Sequence, residues 1–593
     1  MSGSLILAWL VHFYTALGAI VGFFSILVIE QGSFREAFFL MALTVVIDAT
    51  DGTLARAAKY LGRGLGRHRP VYDLSAAARR SDARVCLTVL SSLLYDAIAL
   101  ARVSSTDDSI IAARLIMRRL LRDVGFCKNL ILLIVLLLPA SSVQSQPRAE
   151  SGIPKYVFFF LSDGGGMTHL EIARQYNLQV RNEGFVIVDK IMKEGSVGVM
   201  TTHAADSLST DSAAAATALA GGCKANLGAL GMCADGTPTI SAMELARRRG
   251  MRLGLVTTAP VYDASPAAFV CHVPSRRDYA AIIDRYLELE PYVLMGGGKE
   301  QFLPKSQPGS RRTDETDMIA AFEKKGYRLA DTKEELERPT SGKLLGLFAP
   351  KGMSFELDRD KNREPSVYDM TRATIRLLHD QNPRGFFAFI ESENIDSAAH
   401  ISDIASVIHD YREFDRAVGL AYDFYRKYPH DTLIIVTSDH ETGGLGFTLA
   451  LKDLTSTKVS NQVAATTADL KKLQLLDISL QKAAQILGPH PSADAVDQLM
   501  REHFPGFVLA PEFKEAIIKR QPISRTLFLD LTANTLGLMV ANNTQAYWQT
   551  ATHTNQPVLV AALGVGAEHF RGYYDNADFG KILKNLIEGK PTK

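Results

Sequence analysis

Residues 155–166 read KYVFFFLSDGGG, an unbroken apolar and aromatic run that stops at a serine, an aspartate and three glycines. Such a run, one strand long and closed by polar residues and glycine, predicts a buried β-strand followed by a turn. The glycines let backbone and ligand approach closely where the strand ends. Later stretches repeat the design: LGLVTTAP at 253–260, FFAFIES at 386–392 and LIIVTSDHETGG at 433–444. Between them lie segments of helical character, SAAAATALAGG at 212–222 and SAMELARRRG at 241–250. This alternation predicts an α/β fold, with a central, largely parallel sheet covered by helices on both faces. In open sheets of that kind ligands bind beyond the carboxyl ends of the strands. The acids and histidines of this chain fall there.

Asp163, at the first turn, serves either as a metal ligand or as an ordinary turn residue. Ser212 opens the Ala-rich helix. A hydroxyl there can attack phosphorus while the helix N-terminus holds phosphate oxygens, although Ser209, Asp211 or Ser212 can equally act as a plain cap. Asp396 and His400 lie four apart in ENIDSAAH. On a helix both project from one face at a spacing that suits one metal ion; a surface ion pair or a cap is the plainer alternative. Glu391 sits at the end of FFAFIES. Asp439 and His440 follow LIIVTS, where a turning chain lets adjacent side chains converge, and His553 precedes the apolar run PVLVA. Taken together, acids, imidazoles and one hydroxyl at successive strand ends suit zinc with a harder magnesium site nearby.

The 593-residue length implies two or more structural units, and 47% hydrophobic with 22% charged residues is a globular composition. A formal net charge of +1 gives no bulk attraction for polyanions, which argues against nucleic acid as a partner. Five cysteines are too few for a disulfide scaffold. The apolar residues are unevenly spread. Residues 5–29 carry no charge and are long enough to span a bilayer; 37–47 form a shorter apolar run. Together they predict membrane-type helices and membrane contact through residues 5–47. Residues 67–116 are Arg- and Ala-rich and receive no assignment. From Met117 the order is a basic start, the apolar LILLIVLLLPA and a small, polar exit, the three regions of a secretory signal, ending near Gln146. The expectation is a catalytic domain over 150–593 that starts its own reading frame at Met117 and is periplasmic or secreted, or membrane-anchored where the upstream helices are retained.

SDGGGM, TDSAAAATA, DASPAAFVCHVPSR, ESENID with its following SAAH, TSDHETGG and the late HT occur in the order of the alkaline phosphatase motifs. From about residue 153 to the end the chain resembles that family. The resemblance implies hydrolysis of phosphate monoesters, two zinc ions, one magnesium ion and a homodimer. It assigns Ser212 as the nucleophile that forms a phosphoseryl intermediate, and Arg276 as a bidentate clamp on phosphate oxygens. It assigns Asp396, His400 and His553 to one zinc, where water is activated for the second step. Asp163, Asp439 and His440 fall to the other zinc, and Asp163, Ser265 and Glu391 to magnesium, with Asp263 close by. Ser265 stands where a threonine is common, and Ser397 where many relatives carry a basic or aromatic residue. Cys223 and Cys233 are able to pair in an oxidising compartment, leaving Cys271 over. An insertion over about 447–543, with amphipathic stretches such as DLKKLQLLDISLQKAAQIL, is expected to be helical and accessory. A phosphodiesterase of the same superfamily is the nearest alternative, and a non-catalytic metal-binding module a more distant one.

WLVHFYTALGA followed by DATDGTLAR resembles the opening of a CDP-alcohol phosphatidyltransferase, with Asp48, Asp51, Gly52, Ala55 and Arg56 matching half of that motif. Asp73 and Asp82 lie in Arg-rich rather than apolar surroundings, so residues 1–66 are expected to be a truncated, inactive fragment. N-terminal sequencing of the native product is expected to find a chain that begins at or beyond Met117; a mature protein retaining Met1 contradicts that start.

Overall fold

The computed structural model describes residues 152–338, 341–451, 462–523 and 529–591. The apolar runs, the phosphatidyltransferase-like fragment, residues 67–116 and the signal-like segment all lie outside the described residues. Among the described residues no helix is long and apolar enough to cross a membrane.

Ten strands form the main sheet: β1 (Tyr156–Ser162), β2 (Ser196–Thr201), β3 (Arg252–Pro260), β4 (Val293–Gly297), β5 (Tyr327–Ala330), β6 (Lys343–Leu347), β7 (Phe386–Ser392), β8 (Thr432–Thr437), β9 (Val558–Gly564) and β10 (Gly572–Asp575). Their order is β10-β2-β9-β8-β1-β7-β3-β4-β6-β5. All neighbours run parallel except β9, which is antiparallel to both β8 and β2.

The aromatic run of β1 is continuous because both its faces are covered. Tyr156, Phe158 and Phe160 join one core, while Val157, Phe159 and Leu161 join the other. Helices α1 (Ser212–Gly221), α2 (Ala242–Arg248) and α6 (Asn576–Glu588) cover the Phe159 side. Helices α3 (Val367–His379) and α5 (Ile404–Lys427) cover the Phe160 side, and the short α4 (Asn394–His400) precedes α5. Helix α1 is built of alanine for a packing reason. Every one of its residues is buried, and a Cβ at Gly580 of α6 would stand 2.2 Å from the Ala218 carbonyl oxygen. Only small residues permit that approach.

The described residues between Phe447 and Ala546 are mainly helical, with helices at Thr467–Lys472, Leu480–Leu487, Ala493–His503, Pro511–Lys519 and Leu531–Thr544. The amphipathic stretch 469–487 is interrupted within this region. Ser479 caps the second helix by accepting from the Lys482 amide, and its own amide donates to Asp358 at 2.9 Å, so the chain turns there. Cys223 and Cys233 form a disulfide, with Cys271 buried and free.

Phe159 is fully buried against Phe269, Phe389 and Phe579. Phe159→Ala is expected to remove about 3–5 kcal/mol of stability, read as a fall in the denaturation midpoint. An unchanged midpoint would contradict this packing.

Candidate active site

Register brings the acids together. Leu161 of β1 pairs with Glu391 of β7 and with Thr437 of β8, so Asp163 and Asp439 each stand two residues past a matched pair. Asp163, Glu391, Asp439 and His440 are all buried. The odd strand supplies the last histidine: because β9 is antiparallel, residues just before it lie at the same edge as residues just after β1 and β8. His553 also pairs antiparallel with Thr442, which sets it beside His440, their rings stacked with centroids 3.7 Å apart.

The N-terminus of α1 separates two tasks that the sequence leaves open. Asp211 is the cap, its carboxylate accepting from the Ala214 amide at 3.0 Å. Ser212 is therefore released from capping, and its Oγ lies 3.3 Å from His440 Nε2. Asp211 also accepts from the Gly228 amide and from Arg276, whose other guanidinium nitrogen reaches Asp263 at 3.0 Å. Arg276 is thus held at both ends of its fork beside the serine.

The ligand-type atoms gather in two groups. Asp163, Asp439 and His440 offer atoms within 4.8 Å of one another, as do Asp396, His440 and His553. His400 adjoins the second group, its Nε2 3.0 Å from Asp396 and 3.1 Å from His553 Nε2. The resemblance groups His440 with Asp163 and Asp439; in the fold it is within reach of both groups. Nδ1 of His400 faces the Ala551 carbonyl at 2.7 Å and Nδ1 of His553 faces the Thr210 carbonyl at 2.8 Å. Donation to those carbonyls fixes the tautomer that leaves each Nε2 lone pair directed inward. Ser265 donates to Asp163 at 3.4 Å, and Thr257 donates to Glu391.

Electrostatics marks the pocket as one that lacks positive charge. Burial, followed by the charges of Asp439, Asp396 and Glu391, lifts Asp163 well above the carboxylate range. Burial also raises Glu391 strongly, and with Asp396 pushes Asp439 to about 7. Asp396 goes the other way: although burial opposes it, His400 and His553 hold it well below its usual value. Asp163 Oδ1, Glu391 Oε1 and Asp439 Oδ2 are buried without a hydrogen-bond partner. Unpartnered buried carboxylate oxygens beside inward-facing imidazole nitrogens fit divalent cations.

Sequence reasoning missed several contributors. Glu393, on the Asp263 side, is pushed to about 8 by burial and by Asp263, and accepts from Ser397 at 2.6 Å. Thr442 donates to Asp396. The double role of Asp211, cap and anchor for Arg276, carried no signal beyond its place before the helix.

Acids and imidazoles at the carboxyl edge of a mostly parallel sheet, around a serine at a helix N-terminus, define a metal-assisted hydrolase. The chain belongs to the alkaline phosphatase family, whose sequence profile matches residues 154–588. It is 29% identical over 458 residues to alkaline phosphatase 3 of Bacillus subtilis (strain 168), covering 76% of this chain and 92% of that protein. With alkaline phosphatase 4 of the same strain the identity is 30% over 460 residues, covering 76% and 91%. The crystal structure of Thermus thermophilus alkaline phosphatase superposes with a TM-score of 0.67 at 27% identity, over 77% of this chain and 96% of that one. The protein is an alkaline phosphatase hydrolase that acts on phosphate monoesters. These likenesses do not favour the phosphodiesterase alternative, nor a phosphatidyltransferase activity.

The loop that carries Arg276 is pinned from behind. His272 Nε2 lies 3.1 Å from Glu244, Arg285 donates to the same carboxylate oxygen at 3.0 Å, and His272 Nδ1 faces the Gly231 carbonyl at 3.0 Å. Glu244 raises His272 above its ordinary 6.5, and His272 helps to push Glu244, against burial, down to about 2. The stabilisation from His272 is complete below about 6.5 and is lost as pH rises through its raised value; that from Glu244 is lost only as pH falls toward about 2. His272→Ala is therefore expected to cost about 1 kcal/mol more at pH ~6 than at pH ~9. Equal losses at both, in denaturation midpoints, would contradict the ion pair.

Proposed function

We propose that hydrolysis proceeds through a phosphoseryl intermediate on Ser212, at a centre that holds two zinc ions and one magnesium ion. The observation that carries this reading is the position of Ser212 Oγ, free of the cap and 3.3 Å from His440 Nε2 at the N-terminus of a ten-residue helix. Asp396, His400 and His553 would hold one zinc, and Asp163, Asp439 and His440 the other. Asp163, Ser265 and Glu391, with Asp263 nearby, would hold magnesium. When bound, the ions supply Lewis-acid stabilisation of the attacking and leaving oxygens.

The chain's own part is positioning. Arg276, fixed by Asp211 and Asp263, presents its guanidinium to the non-bridging phosphate oxygens. The amides of the first turn of α1 face the same anion with the positive end of the helix dipole. Ser212 Oγ attacks phosphorus, the ester P–O bond breaks, and the alcohol departs. Water then attacks the phosphoserine, releasing phosphate and restoring the hydroxyl. Two displacements in line retain configuration at phosphorus.

We read the protein as exported, with a signal at 117–146, and the Cys223–Cys233 disulfide supports an oxidising compartment. Residues 1–66 are read as a phosphatidyltransferase-like fragment without a part in this chemistry. The accessory helices between Phe447 and Ala546 are the region proposed for homodimer contact.

The deciding experiment assays aryl phosphate hydrolysis by residues 146–593 and by Ser212→Ala, with zinc and magnesium or with a chelator. Activity is expected only in the metal-loaded parent, with the variant down by about a thousandfold or more. A fully active Ser212→Ala protein would refute the covalent route.

A further inference from the structure

Beside His553 the surface opens into a cavity of about 450 Å³ that the chemistry above leaves unused. It is lined by residues 207–209, among them Leu208, and by Gln549, Thr550, Asn555 and Gln556. The cavity adjoins the reacting centre, since His553 lines it and also bonds the carbonyl of Thr210, two residues before Ser212.

Its chemistry is distinctive in three respects. Apart from His553, no ionisable side chain lines it. Among the described residues the side-chain amides of Gln549, Asn555 and Gln556 make no hydrogen bond within the protein. Each amide offers two donors and a carbonyl acceptor, so the wall can both give and accept. Leu208, 84% exposed, lines the same cavity and adds an apolar surface to a polar cleft.

We propose that this cavity is the leaving-group subsite, and that it selects uncharged, polyhydroxylated alcohols of the sugar class. The inference rests on the assignment of Ser212 and His553 to the phosphoryl centre. A sugar presents hydroxyls that donate and accept around its edge and a carbon face that packs on Leu208. A carboxylate or second phosphate meets no cation in the wall, and an ammonium meets no carboxylate. Placing either there forfeits hydration without a charged partner. Plain alkyl or aryl alcohols use the leucine but leave the amides to water. Sites that hydrogen-bond a substrate discriminate better than sites that only fit its shape.

The test compares kcat/KM for glucose 6-phosphate, 3-phosphoglycerate and phenyl phosphate, using the full metal-loaded enzyme and its Gln549→Ala/Asn555→Ala/Gln556→Ala variant. All three amides are exposed, so truncation leaves the packing alone. The parent is expected to favour glucose 6-phosphate over 3-phosphoglycerate by about tenfold or more. In the variant the ratio of glucose 6-phosphate to phenyl phosphate efficiency is expected to fall about tenfold, mainly through KM. Equal parental efficiencies for the two charged-state classes, or an unchanged ratio in the variant, overturn the subsite while phenyl phosphate turnover persists. Failure of the parent to hydrolyse any of the three esters overturns the phosphoryl centre together with it.

Discussion

Repulsion among buried carboxylates is the condition around which this molecule is organised. Asp163, Glu391 and Asp439 stand at the ends of adjacent strands, shielded from water, and each is raised above its normal range. Left to themselves such groups take up protons or open the pocket to solvent. A bound cation would relieve the repulsion, with the acids as its site and the fold as their clamp. The sheet can sustain this concentration of charge because its interior is rigid: β1, β7 and β8 are buried along their whole length. Few other architectures hold several acids within a few ångströms on separate, parallel supports.

Neutral donors divide the remaining work. Thr257, Ser265 and Thr442 each donate to one carboxylate; the other oxygen of Glu391 and of Asp163 is left without a partner, whereas that of Asp396 faces His400. The backbone carbonyls of Ala551 and Thr210 fix the tautomers of His400 and His553. Around the phosphate position the arrangement is different, because there the fixed group is a cation. Asp211 and Asp263 each pair with Arg276, so two carboxylates fix one guanidinium beside the serine.

Much of this was legible in the sequence. The strand runs are unusually pure, so their ends were easily located, and Asp163, Glu391, Asp439 and His440 follow directly from those ends. Ser212 was legible as a helix start, but not its freedom from capping, which depends on Asp211 taking the Ala214 amide. The sharing of His440 between two groups was invisible, because it arises from the stacking of His553, more than a hundred residues away in the chain. Glu393 escaped notice for a similar reason: it stands in a turn two residues past Glu391, and Asp263, whose charge acts on it, lies more than a hundred residues away in the chain. The break at Ser479 depends on Asp358, a partner that no local periodicity reveals.

The one antiparallel strand has a consequence for how the protein comes into being. Strand β2, residues 196–201, lies between β9 and β10, both drawn from residues 558–575. A ribosome has to extend the chain from residue 201 to residue 558 before β2 acquires either neighbour, and His553 arrives in the same later segment. Until then β2 is an unpaired edge and the centre lacks an imidazole. The edge of the sheet and the imidazole of His553 are therefore completed together, by one segment made long after the strand that it pairs with.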